Sequence, residues 1–269
     1  MSKERRFSRR LREEGVPRAP RRGVYLIPGL LTTASIFCGY VSMILATTHQ
    51  FEMAALLIGI AALLDTLDGR VARMTGTTSA FGQEFDSLAD VISFGVAPAV
   101  LAWSWALSDF ERLGWAASFL FVICGALRLA RFNIQSGAMD RRFFAGLPIP
   151  AAACTIAVCV FNHPQSLEDG IIKILALVLV VVLALLMVSK FRYRSFKELD
   201  LRVRRPYIWV VPFAVLLALI ATQPQIVLLV AAFAYVLSGL IPRRAPETRA
   251  DSFDESVPAA GPGGSDHAP

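Results

Sequence analysis

The sequence predicts an all-α membrane protein, a polytopic bundle of about eight transmembrane helices with both termini on the cytoplasmic side. Three observations carry this. The chain is 55% hydrophobic with a mean hydropathy of +0.55, beyond the range of an ordinary soluble domain. Its apolar residues come in runs near the roughly 20 residues that a helix needs to cross a hydrocarbon core of about 30 Å. Its Lys and Arg collect in alternate loops, the bias that orients membrane proteins.

Residues 1–23, "MSKERRFSRRLREEGVPRAPRRG", form a basic arm ahead of a long apolar run, with no small-residue cleavage site after a short apolar core. That excludes a removed signal peptide and predicts a retained cytoplasmic arm. The arm reads as an orientation signal, as an interfacial helix drawn to anionic headgroups, or as both. The membrane domain is expected over 24–242, with spans at 24–48, 51–67, 91–107, 113–130, 171–189, 207–222 and 225–241. The stretch 147–161 is shorter and rich in Pro and Ala, but its place between polar loops makes it an eighth span. Residues 243–269 are polar and rich in Pro and Gly, a composition that cannot bury a core and predicts a disordered cytoplasmic tail.

Orientation follows from the loops. The arm, Arg141, Arg142, "KFRYRSFKELDLRVRRP", Arg243 and Arg244 carry most of the loop cations, and eight spans place all of them on one side. The other loops, near His49, 109–112, 163–165 and 222–225, carry almost none, and "SDFERLG" and "NHPQSLEDG" there read as solvated connections. The net charge of +6 is thus a matter of membrane orientation. No basic platform interleaved with aromatics suggests nucleic-acid binding. Cys38, Cys124, Cys154 and Cys159 lie inside apolar spans without CxxC pairing and read as small buried hydrophobes.

The chemistry is concentrated in "DTLDGRVARMTGTTSAFGQEFDSLAD", 65–90, which joins the second and third spans on the cytoplasmic side. Asp65 and Asp68 share one helical face, as do Asp86 and Asp90. The third span is expected to start near Phe85, and two antiparallel helices joined by "MTGTTSAFG" bring the four acids into one cluster. An uncompensated Asp costs about 2.5–3.5 kcal/mol at a helix centre and less toward its ends, and mutual repulsion adds to that. Arg70 and Arg73 are too few to neutralise four carboxylates. An all-oxygen donor set selects Mg²⁺, Mn²⁺ or Ca²⁺ over Zn²⁺. Four carboxylates suit two such ions about 3.5–4 Å apart, an arrangement that clamps a phosphoryl group. Gly69, Ala72, Gly76 and Gly82 leave room for a ligand, and Arg73 lies about two turns after Asp65, in reach of a phosphate oxygen.

These residues complete the pattern D-x2-D-G-x2-A-R-x8-G-x3-D-x3-D, and in it the chain resembles the CDP-alcohol phosphatidyltransferases. The resemblance implies that Asp65, Asp68, Asp86 and Asp90 hold two divalent cations, Mg²⁺ or Mn²⁺, on the diphosphate of a CDP-linked lipid. It implies that Gly69, Ala72 and Gly82 make room for the cytidine part, that Arg73 contacts phosphate, and that Asp90 is the general base. "LLTTASIFCGY", "SFGVAPA", "GALRLARFN" and "GLPIPAAA" look like bacterial membrane-embedded phosphatidylserine synthases, so the likeness runs over roughly 24–240. One departure stands out: such enzymes usually read Pro-Asn where this chain has Pro28-Gly29.

The resemblance implies transfer of the phosphatidyl group of CDP-diacylglycerol to L-serine, with release of CMP. It implies a homodimer in the bacterial inner membrane, its active site facing the cytoplasm. Arg128 and Arg131 share one helical face at the level of the aspartates. They either snorkel to headgroups or, with Asn133 assisting, bind the serine carboxylate or the lipid-proximal phosphate. His49 and His163 fall on the opposite side, away from the chemistry, and Ser93, inside a helix, is expected to bond its own backbone. Other acceptors (glycerol 3-phosphate, inositol phosphate or choline) keep the same chemistry, and Arg141 and Arg142 would serve a phosphorylated one. A cation channel or transporter using the acids as its ion path, and a prenyl transferase, are the rival classes.

Overall fold

The computed structural model describes residues 26–76, 79–135, 144–189, 192–193, 219 and 222–239. The basic arm, the tail, Arg141, Arg142 and nearly all of the expected 207–222 span lie outside them. Helix α1 spans Leu26–Thr47 and α2 spans Phe51–Thr75. Helix α3, Ala80–Asp90, runs directly into a π-helical turn, Val91–Val96, and on through α4, Ala97–Ala102. A second π-turn at Trp103–Leu107 and a 3-10 turn at Ser108–Phe110 end this segment. Then come α5, Arg112–Gln135; α6, Ile149–Asn162; α7, Gly170–Val188; and α8, Pro224–Ser238. A two-residue antiparallel pair, β1 Phe144–Ala145 with β2 Arg192–Tyr193, is the one strand pairing among the described residues.

Among the described residues, four helical segments are long and apolar enough to cross a bilayer: Pro28–Thr47, Ala80–Phe110, Arg112–Ile134 and Gly170–Val188. Ile149–Asn162 and Pro224–Ser238 are shorter apolar helices. Helix α2 is long, but its second half carries the aspartates and arginines of the signature. The third helix starts at Ala80 and not near Phe85, because Ser79 caps it by accepting from the Gly82 N–H at 3.0 Å. Hydropathy marks where a chain enters lipid, whereas a capped helix begins earlier, in polar sequence. The link from α2 is correspondingly short, and Gly76 ends α2 with φ 65°, a left-handed conformation that glycine adopts without strain.

Helix α1 buries Thr32, Ser35, Gly39, Ser42 and Ala46, one face at helical spacing. It lays that face on Ala54, Ile58 and Ala61 of α2, with the Ser42 hydroxyl donating to the Ala54 carbonyl at 2.8 Å. The opposite face exposes Leu30, Phe37, Tyr40 and Ile44, apolar surface suited to lipid. Phe94, Leu101, Phe121, Ile149, Leu183 and Met187 fill the centre of the bundle.

Contacts sort the helix ends into two sets. At one end the Trp105 indole N–H donates to the carbonyls of His163 (2.8 Å) and Gln165 (3.1 Å), and Lys173 pairs with Asp109. The loops read as solvated are therefore pinned to the bundle. At the other end α1 meets Asp68 through Thr32, and Leu147 N–H donates to the Leu186 carbonyl at 3.1 Å. All four cysteines are free, with Cys124 buried and the other three half-buried.

Candidate active site

The second half of α2 and the first turns of α3 supply the acids. Asp65, Asp86 and Asp90 each offer a carboxylate oxygen, and these oxygens lie within 4.8 Å of one another. Asp65 is close enough to both Asp86 and Asp90 for their charges to interact. Three carboxylates this close repel one another unless a cation or shared protons lie among them. One oxygen of Asp90, Oδ1, is buried and has no hydrogen-bond partner among the described residues. A hard divalent cation fits this donor set: all oxygen, no nitrogen or sulfur, with one buried Asp90 oxygen that no described residue engages.

Asp68 sits apart from the trio. Its carboxylate is 5% exposed and accepts a hydrogen bond from the Thr32 hydroxyl of α1. It is nonetheless close enough to Asp65 and Asp86 for their charges to interact. Thr32 is thus a site residue that sequence reasoning missed. Its signal was present, since Thr32, Ser35, Gly39 and Ser42 form a stripe of small, mostly polar residues along one face of a largely apolar helix.

Beside the acids opens a cleft of about 660 Å³. Asp68, Gly69 and Ala72 of α2 form one wall, Gly82 and Asp86 of α3 another, and Pro28, Gly29 and Thr33 of α1 a third. A Cβ at Gly29 would meet nothing within 4 Å, so at the Pro-Gly departure the cleft lining has open space and lacks an Asn side chain. Phe81 and Phe85, stacked with centroids 6.0 Å apart, add an aromatic border that the sequence pattern had not marked. Arg73 does not line the cleft. Its Nε donates to the Gly69 carbonyl at 2.7 Å, which folds the exposed side chain back along α2 toward the rim.

Helix α5 brings the candidate acceptor residues to different places. Arg128 is half-buried and faces Asp90 closely enough for the two charges to interact. Its Nε is buried without a hydrogen-bond partner among the described residues. Tyr235 of α8 also lies within electrostatic reach of Arg128, a neighbour no local pattern could reveal. Arg131 is exposed one turn on. Asn133 donates from Nδ2 to the Ser87 hydroxyl at 3.0 Å, tying the end of α5 to the residue after Asp86. Ser93 does not bond its own backbone as expected. It is fully buried and donates across the helix interface to the Ser35 carbonyl at 3.0 Å. His49, two residues before α2 begins, lies about 24 Å from Asp65 by helical rise, and the His163 carbonyl holds Trp105 at that same far end.

The chain also matches known proteins over much of its length. The family model for CDP-alcohol phosphatidyltransferase matches residues 25–191. A CDP-diacylglycerol–serine O-phosphatidyltransferase of Helicobacter pylori is 45% identical over 219 residues, 81% of this chain and 91% of that protein. The enzyme of the same name from Bacillus subtilis is 35% identical over 64% of this chain and 92% of its own length. An archaetidylserine synthase of Methanothermobacter thermautotrophicus is 40% identical over 62% of this chain and 69% of its own.

Proposed function

Because the chain belongs to the CDP-alcohol phosphatidyltransferase family, we propose that it transfers the phosphatidyl group of CDP-diacylglycerol to L-serine, giving phosphatidylserine and CMP. The observation that carries this reading is the carboxylate trio of Asp65, Asp86 and Asp90 beside a cleft walled by the small residues of the signature. Serine as acceptor is supported by the names of the relatives from Helicobacter pylori and Bacillus subtilis.

Asp65, Asp86 and Asp90, with Asp68 beside them, would hold two divalent cations, Mg²⁺ or Mn²⁺, which when bound would neutralise the diphosphate and polarise its β-phosphorus. The chain's own residues do the rest. Gly69, Ala72 and Gly82 admit the CDP moiety, and Arg73, swung from the rim, meets a phosphate oxygen. Arg128, whose Nε meets no hydrogen-bond partner among the described residues, holds the serine carboxylate, so the serine hydroxyl is directed at phosphorus beside Asp90. Asp90 accepts the hydroxyl proton as the new P–O bond forms and the bond to CMP breaks, the electron pair leaving with CMP. Arg131 remains a candidate for the lipid-proximal phosphate, while Asn133 fixes α5 against α3.

The protein is an integral membrane protein. Eight spans with both ends in the cytoplasm, in a bacterial inner membrane, place the acids and the basic loops on one side. Lipid tails then enter laterally from the bilayer, and serine arrives from the cytoplasm. A homodimer follows from the resemblance. The channel reading fares poorly because the acids gather at one end of the bundle and do not line a path.

An acceptor panel tests the proposal. Purified protein with CDP-diacylglycerol and Mg²⁺ or Mn²⁺ releases CMP when given serine. CMP release with glycerol 3-phosphate and none with serine would overturn the acceptor, and metal flux without any CDP-lipid would favour the channel.

A further inference from the structure

The mechanism leaves unused a buried contact at the meeting of three helices. Ser35 of α1 is 2% exposed and engages both neighbours at once. Its hydroxyl donates to the Ala61 carbonyl of α2 at 3.3 Å, one turn before Asp65. Its carbonyl accepts from the fully buried Ser93 hydroxyl at 3.0 Å, one turn after Asp90. In helix geometry that same carbonyl serves the Gly39 N–H. Gly39 closes the contact, since a Cβ there would stand 2.9 Å from the Ser93 Cα and 3.0 Å from its Oγ.

Ser93 belongs to the π-helical turn Val91–Val96, which begins at the residue after Asp90. A π-turn inserts an extra residue into the helical ladder and so resets the direction of side chains on either side of it, and such turns persist where something holds them. Here the holder is α1. The same helix thus fixes α2 a turn from one carboxylate and the π-turn a turn from another, although it contributes no acid itself.

We propose that Ser35, Gly39 and Ser93 form a positioning knot that sets the separation of Asp65 and Asp90 and thereby the affinity of the carboxylate trio for its divalent cation. The proposal rests on the divalent-cation reading of the trio. Carbon atoms pack at about 3.5–4.0 Å, so an alanine at 39 displaces the π-turn by roughly 0.6–1 Å, against a ligand-distance tolerance of about 0.2 Å. The displaced atom is backbone, so no rotamer change relieves it.

The test reads cation binding directly, by Mn²⁺ electron paramagnetic resonance on the full-length protein in detergent without CDP-lipid. Gly39→Ala weakens Mn²⁺ binding about 10- to 100-fold, the scale at which lost supporting contacts degrade a metal site. Ser93→Ala removes the hydrogen bond without crowding and weakens it several-fold, and this variant decides the matter if Gly39→Ala does not fold. Ser42→Ala supplies the control. It deletes a comparable buried bond between α1 and α2, but at Ala54, three turns from Asp65, and leaves Mn²⁺ affinity at the wild-type value. Wild-type affinity in both Gly39→Ala and Ser93→Ala, or equal weakening in Ser42→Ala, would overturn the knot. Failure of the wild-type protein itself to bind Mn²⁺ would overturn the cation reading and the proposal with it.

Discussion

Arg128→Met keeps most of the apolar stem of the side chain and deletes its guanidinium, a half-buried charge facing Asp90 whose Nε has no partner among the described residues. If that guanidinium holds the serine carboxylate, its loss removes one partner of a desolvated charge pair, which costs about 2–5 kcal/mol. At about 1.4 kcal/mol per decade this is a drop of roughly 30- to 5000-fold in kcat/KM for serine. The assay is CMP release with serine and, in parallel, with serinamide, which keeps the hydroxyl and amine but lacks the carboxylate. The wild-type protein prefers serine strongly, and Arg128→Met erases the preference by losing serine activity while serinamide activity changes little. The KM for CDP-diacylglycerol stays within a factor of a few. Equal loss with both acceptors would refute the reasoning. So would an intact preference combined with a raised KM for CDP-diacylglycerol, which would assign Arg128 to the lipid phosphate.

Asp90→Asn removes the proton acceptor while preserving shape, so turnover falls about 10²–10⁴-fold with CDP-lipid binding largely retained by equilibrium filtration; lost binding would make Asp90 an indispensable ligand instead. Chelation with EDTA abolishes CMP release, and Mg²⁺ or Mn²⁺ restores it, a result that activity persisting in EDTA would contradict. Thr32→Val deletes the donor to the buried Asp68 carboxylate. A hydrogen bond to a charged group is worth about 1.5–3 kcal/mol, so thermal stability without substrate falls measurably, and an unchanged melting temperature would show that the bond is not formed.

The parts of the site that were legible in the sequence are those built from local spacing. Asp65 and Asp68 at three apart, and Asp86 and Asp90 at four apart, announce shared helical faces before any fold is known. The small residues among them announce a cleft. What spacing cannot carry is the partition of the acids, three together and Asp68 drawn aside by Thr32, because that depends on α1 packing from far away in sequence. Tyr235 is hidden for the same reason, since α8 approaches Arg128 only in the folded bundle. The early start of α3 escaped because Ala80–Phe85 is helical through its cap and not through its hydropathy. The role of Ser93 inverted for a related reason. An isolated helix offers a serine only its own backbone, whereas a π-turn pressed against Gly39 offers a neighbour's carbonyl.

At the centre of the account stands a single displacement, in which the serine hydroxyl attacks a β-phosphorus beside Asp90 and CMP departs. The configuration at phosphorus reports this directly. CDP-diacylglycerol made chiral at the β-phosphorus with oxygen isotopes, incubated with the purified protein, serine and Mg²⁺, yields phosphatidylserine of inverted configuration. Retention of configuration would require a covalent phosphatidyl-protein intermediate and would contradict the account, as would the absence of any phosphatidylserine.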